Sequence, residues 1–166
     1  MNSDFPFSTA RSSLLNTETF RNLLGNALEN STKSVVILSA YVKAIGVEWL
    51  KEKIGEKDIK CTIVARWDKG DLAQGSSDLE CYSLAKKNGW SFKVLKDLHA
   101  KVMLVDSNIL FIGSPNLTGR GMSLVPVPNK EMGIKVEALE PDLKIINQLV
   151  DDSTFVDDEF VKILEE

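Results

Sequence analysis

The chain has 166 residues, 43% hydrophobic and 27% charged, with 24 acidic and 20 basic side chains. A chain this long can bury roughly two thirds of its unfolded surface, enough for a core without disulfide or metal staples; this excludes disordered and small-scaffold classes and predicts a single domain over residues 1–166. Charge is uneven, because residues 136–166 hold ten acids and two lysines, leaving a mildly basic body that is open to a polyanionic partner but unsuited to coating DNA non-specifically.

Thr17 to Glu29 places Phe20, Leu23, Leu24, Ala27 and Leu28 on one stripe and predicts a first helix. Lys33 to Lys43 is β-branched and uniformly apolar, the pattern of a central strand buried on both faces. Gly46 to Ile54 has Val47, Leu50 and Ile54 at helical spacing, with Gly55 as a stop. Lys60 to Trp67 reads as a second buried strand. Ser77-x-x-Glu80 has the form of a capping box opening a third helix that ends at Gly89. Ser91 to Leu95, Ala100 to Val105 and Ile109 to Ile112 follow as strands, with Asp106-Ser107-Asn108 as the turn between the last two. Glu131 to Glu137 is one more strand. Pro141 opens a helix with Leu143, Ile146, Leu149 and Val150 inward, and Asp157 to Leu164 is a short final helix. This order predicts an α/β fold, a mixed and mostly buried β-sheet flanked by helices on both faces. Two stretches are left as loops, Asp68 to Ser76 and Leu117 to Lys130.

The longest apolar stretch, Val35 to Val42, is far short of the roughly 20 residues a bilayer span needs. Met1 to Phe20 has no basic region followed by an apolar one, so the expected address is cytoplasmic. Cys61 and Cys81 stand twenty apart and fit free reduced thiols better than a disulfide or a zinc site.

The sequence has one histidine. Strand alternation puts His99, Lys101 and Met103 on one face. A hairpin turning at Asp106 brings Gly113-Ser114-Pro115-Asn116 back beside His99 and Lys101. One imidazole, one ammonium, one hydroxyl and one carboxamide then share a pocket that suits an anion with several oxygens and lacks a carboxylate cage for a metal.

His99-x-Lys101-x4-Asp106-x6-Gly113-Ser114-x-Asn116 resembles the signature of the phospholipase D superfamily, complete in spacing. The wider stretch from Val35 to Glu137, with Asn129 to Gly133 as a second anchor, is similar to the small phosphodiesterase domains of that superfamily found in nucleases and some restriction endonucleases. The resemblance implies a phosphodiester-cleaving enzyme that needs no metal or other cofactor. It makes His99 the nucleophile that forms a phosphohistidine, and Lys101, Ser114 and Asn116 the holders of the non-bridging phosphate oxygens. Glu131 then orients a catalytic imidazole, with Glu137 as the alternative, and Asp106 and Gly113 are structural. Arg66, Arg120, Lys130 and Lys96 are expected substrate contacts or solvated charge. Trp67 is either a stacking ring or simple packing.

An imidazole that attacks phosphorus needs a second, protonated imidazole for the leaving oxygen, and this chain supplies one. The expectation is therefore a homodimer with a two-fold axis through the site. A fragment of a two-motif enzyme and a degenerate copy that binds without cleaving are the alternatives. No amphipathic basic helix marks a membrane-binding site, and the Leu124 to Pro128 loop is the nearest candidate lip. DNA is the expected substrate; a lipid phosphodiester and a non-catalytic phosphate-binding or assembly module are the other readings.

Overall fold

The computed structural model describes residues 13–165, so most of Met1 to Phe20, on which the address was read, lies outside the described residues. In chain order the elements are β1 (Leu15–Asn16), α1 (Thr17–Glu29), β2 (Ser34–Ser39), α2 (Ala44–Ile54), β3 (Lys60–Ala65), α3 (Lys69–Ala73), α4 (Glu80–Lys87), β4 (Ser91–Val94), β5 (Lys101–Val105), β6 (Ile109–Gly113), β7 (Met132–Glu137), α5 (Glu140–Asp152), β8 (Thr154–Phe155) and α6 (Asp158–Glu165). One eight-stranded sheet runs β1-β7-β6-β5-β2-β3-β4-β8. β2, β3 and β4 are parallel to one another, whereas β5 joins β2 antiparallel and starts the meander β5-β6-β7. The sheet is mixed and α/β, as its sequence order predicts.

Helices cover both faces because the central strands are apolar on both sides. Val35, Ile37, Ile63, Met103 and Phe111 pack with the stripe Phe20, Leu24, Leu28 of α1 and with Val47, Leu50 and Ile54 of α2. Leu38, Val64, Leu104 and Leu110 form the opposite layer against Ile146, Leu143 and Leu149 of α5. The ring of Phe20 meets Phe111 edge-on at 5.5 Å, which ties the first helix to the hairpin strand β6. Asn16 caps α1 by accepting the Thr19 N–H at 2.9 Å.

Several expectations need correction. Ser77 does not cap the helix that follows it: its hydroxyl accepts the Val42 N–H at 3.2 Å, and α4 starts at Glu80 without a side-chain cap. Asp78 instead accepts the Ala44 N–H at 2.9 Å, so both polar residues serve the start of α2. Tertiary donors outbid the local ones. The stretch Asp68 to Ser76 is not all loop, since Asp68 accepts the Asp71 N–H at 2.7 Å and caps the short α3. β1 and β8 were not foreseen; each is two residues long and has no pattern of its own, existing only because an edge strand offers partners.

Candidate active site

The hairpin β5-β6 is closed by Asp106 and Ser107, both at positive φ (54° and 55°), with the Asn108 N–H donating to the Val105 carbonyl at 3.1 Å. The Asp106 carboxylate accepts the backbone N–H groups of Thr32 at 2.9 Å, Lys33 at 2.8 Å and Ser34 at 3.0 Å. Burial alone would push this carboxyl up, but those backbone donors outweigh it and hold it below the ordinary carboxylate value. Asp106 thus locks the entry of β2 onto the hairpin turn.

The register of the hairpin, Val105↔Ile109 through Val102↔Ile112, returns Gly113 to the level of Lys101. On the other side Ser39, the last residue of β2, pairs with Lys101. Gly113 is required there by contact: a Cβ would stand 2.4 Å from the Met132 carbonyl oxygen and 2.5 Å from the Gly133 Cα. A larger residue would push β7, and Glu131 with it, away from the hairpin.

His99 lies two residues before β5, in an irregular segment that the strand pattern did not anticipate, and is exposed. Among the described residues its ring makes no hydrogen bond, while its carbonyl accepts from the Lys101 ammonium at 2.8 Å. Lys101 is half-buried, and burial, followed by the positive charge of Arg66, lowers its pKa against the opposing pull of Glu131. Asn116 is oriented by the Tyr41 N–H, which donates to its Oδ1 at 3.1 Å. Since Oδ1 is taken, the amide NH2, with no partner among the described residues, is the group available to an incoming oxygen. Ser39 steadies this turn by accepting the Leu117 N–H at 2.9 Å and donating to the Tyr41 carbonyl at 2.6 Å.

Ser114 donates its hydroxyl proton to Glu131 Oε2 and accepts the Met132 N–H at 3.1 Å. The other carboxylate oxygen, Oε1, accepts from the Asn129 amide at 3.0 Å, and Asn129 Oδ1 accepts from Arg120 Nε at 2.9 Å. Thr17 at the start of α1 clips this loop twice, donating to the Asn129 carbonyl and accepting the Glu131 N–H, each at 2.8 Å. No hydrogen bond joins Glu131 to the His99 ring among the described residues. Glu137 pairs with Ile109 at the turn end of the hairpin, so it is excluded as the alternative carboxylate.

The remaining expectations separate. Arg66 forms a two-pronged bond to Asp71 at 2.6 and 2.7 Å and donates to the Tyr41 hydroxyl at 2.9 Å, which raises its pKa and fixes it beside the cluster. Trp67 offers no open ring for stacking: it is buried and packs on Phe92 with centroids 4.8 Å apart. Arg120 is spent on Asn129, and Lys130 is exposed. Cys61 and Cys81 are free and buried, and burial pushes both thiols well above their ordinary value, leaving them inert. Tyr41, Ser39 and Thr17 were missed, because each acts through a partner distant in sequence. Only the Asn129-x-Glu131 pairing carried a local signal.

Residues 24–152 match the family model described as Cardiolipin synthase, PLD-like domain. The chain belongs to the phospholipase D superfamily. Its fold is similar to NucT from Helicobacter pylori (TM-score 0.68, 18% identity, 88% of this chain and 99% of that one). It is equally similar to Nuc from Salmonella typhimurium, a phospholipase D family member (TM-score 0.68, 15% identity, 88% and 99%). Phosphatidylserine synthase from Haemophilus influenzae is more distant, with a TM-score of 0.59 and 12% identity over 93% of this chain and 44% of that one. Among curated proteins, none matches the sequence. Membership of the phospholipase D superfamily gives the chain a phosphodiesterase-type function. No helix among the described residues is long and apolar enough to cross a membrane.

Proposed function

We propose that the chain is a DNA-cleaving phosphodiesterase that works without metal through a phosphohistidine, in a site completed by a second copy. The observation that carries this reading is the grouping of Lys101, the Asn116 amide and the Ser114–Glu131 pair beside an exposed His99 whose ring has no partner among the described residues.

In the first step a neutral His99 nitrogen attacks phosphorus, the N–P bond forms and the P–O bond to the leaving group breaks. The imidazolium of His99 from the second copy gives its proton to the leaving oxygen. In the second step that imidazole, now neutral, takes a proton from water as the water oxygen attacks phosphorus and the N–P bond breaks. Lys101 and Asn116 hold the non-bridging oxygens, whose negative charge grows as the nucleophile enters. Glu131, shared between Ser114 and Asn129, is the carboxylate aimed at the imidazoles of the assembled site. Arg120 and Lys130 line the approach, with Arg120 acting through Asn129.

Self-association is supported by what surrounds the cluster. Met132 beside Ser114 is 62% exposed and Ile112 before Gly113 is 40% exposed, apolar surface at the rim of a charged site. DNA as substrate is supported by the basic body of the chain and by the similarity in fold (TM-score 0.58, 11% identity, 90% of this chain and 56% of that one) to TrmBL2, an archaeal chromatin protein with a mode of DNA binding. A lipid phosphodiester is favoured by one observation, Val127 standing 71% exposed in the Leu124 to Pro128 loop.

One assay separates these readings. Purified chain is incubated in excess EDTA with plasmid DNA, single-stranded DNA and phospholipid vesicles, and its mass is followed by sedimentation. DNA cleavage that persists in EDTA from a dimer is the expected result. Complete loss on chelation would remove the mechanism, a strictly monomeric yet active chain would remove the shared site, and headgroup release from vesicles alone would transfer the activity to lipid. DNA binding without cleavage would leave the non-catalytic module.

A further inference from the structure

Beside the cluster, at the C-terminal ends of β3 and β4, lies a cavity of about 790 Å³ that the phosphate chemistry does not use. Its walls include Val94, Leu95 and Phe160, and Lys69 and Lys96 stand at its rim. Trp67 lines it too. The indole Nε1 of Trp67 is the one buried side-chain polar atom without a hydrogen-bond partner among the described residues. Trp67 also holds a left-handed backbone, φ 50°, which bulky residues seldom tolerate. The indole donor is sealed from the cavity as well as from water, so Trp67 closes the cavity floor by packing and offers it no hydrogen bond.

The cavity adjoins the candidate active site. Arg66 lines it and also stands close enough to Lys101 for its charge to lower the Lys101 pKa. Asp97 lines it as well and precedes His99 by two residues, which keeps their Cα atoms within about 7 Å. The cavity therefore lies close to where Lys101 and Asn116 would hold a phosphate, on the side of Arg66 and Asp97.

Its chemistry narrows the occupant. Asp68, Asp97 and Asp152 share the lining with the lysines, so a bare anion gains little there. Apolar walls with donors and acceptors of both kinds suit a flat heterocycle carrying carbonyl and N–H groups, and the volume lies within the range of small-molecule pockets. Resting on the nuclease reading above, we propose that this cavity is the subsite for the nucleoside next to the scissile phosphate, with the base lying against Val94, Leu95 and Phe160.

The test is equilibrium binding of thymidine 5′-monophosphate, inorganic phosphate and glycerol 3-phosphate to the full chain and two variants. Thymidine monophosphate should bind at least about tenfold more tightly than the other two. Thr154→Trp, at an exposed position of the edge strand β8 on the cavity wall, should erase that advantage and leave phosphate binding unchanged. Lys69→Trp, at a second exposed lining position, should likewise weaken the nucleotide several-fold and serves as the second variant if Thr154→Trp misfolds. Equal affinities, or an advantage that survives the filled cavity, would overturn the assignment; so would tightest binding of glycerol 3-phosphate, which would make the cavity a lipid-headgroup site. Hydrolysis of bis(p-nitrophenyl) phosphate, followed in parallel, reports on the catalytic reading alone, so the two can fail separately.

Discussion

At the turn end of the β5-β6 hairpin, Asp106 gives its carboxylate to three backbone N–H groups; at the open end, His99 is exposed and its ring is bonded to nothing among the described residues. The two residues belong to one sequence motif and sit seven positions apart. Their environments pull in opposite directions. Backbone donors hold the Asp106 carboxyl below its usual range and fix the chain, whereas burial and the charge of Arg66 work against the Lys101 ammonium and leave it short of partners. Polar groups spent on the fold stabilise it, and polar groups left unspent are available to a substrate.

This contrast can be broken from either end. The largest effect is expected from His99→Ala, which should cut phosphodiester turnover by at least about 10³-fold. Its melting temperature should match the parent chain, because nothing among the described residues bonds to the ring; a clear loss of stability would erase the distinction between the two ends.

Asp106→Ala should do the reverse and cost about 3 kcal/mol in urea unfolding, since several backbone donors lose a charged acceptor together. Activity per folded molecule should stay near that of the parent. The same carboxylate sets a pH dependence. Its folded pKa lies below the unfolded value of about 3.9, so its stabilising contribution is complete above that value and fades as pH falls through the lower folded pKa. Unfolding free energy should therefore drop on acidification between about pH 5 and about pH 2, with a shallower slope in Asp106→Ala than in the parent.

Glu131→Gln keeps the shape of the Ser114–Asn129 bridge and removes its charge; turnover should fall about 10²-fold with a shifted pH–rate profile, the signature of altered imidazole basicity. A profile that merely scales would reduce Glu131 to a structural clip. The smallest effect is expected from Ser107→Gly, which relieves a left-handed serine at φ 55° and should raise stability by about 0.5 kcal/mol without touching activity.

Much of the fold could be read from residue order. The helix Thr17–Glu29 agrees end for end because its apolar stripe and its cap at Asn16 are local features. The central strand emerged shorter than its apolar run, since Tyr41 to Lys43 follow the sheet's last pair and turn into α2. The capping role of Ser77 failed for the opposite reason: the Val42 N–H, distant in sequence, needed that hydroxyl more than the adjacent helix did. At the site, the spacing of His99, Lys101, Ser114 and Asn116 was legible, but the residues that aim them were not. Tyr41 reaches Asn116 across 75 positions, and Thr17 reaches Glu131 across 114.

By itself the sequence determined the alternation of helices and strands, the hairpin and the chemical kinds of group at its open end, because periodicity, turn residues and motif spacing act over a few positions. Only the tertiary structure decided which way those groups face: that the Asn116 amide offers its NH2, that Trp67 buries its ring with no partner for its N–H among the described residues, and that Glu131 answers to Ser114. Hydrogen bonds and packing between segments far apart in the chain settle such choices, and no local pattern of residues encodes them.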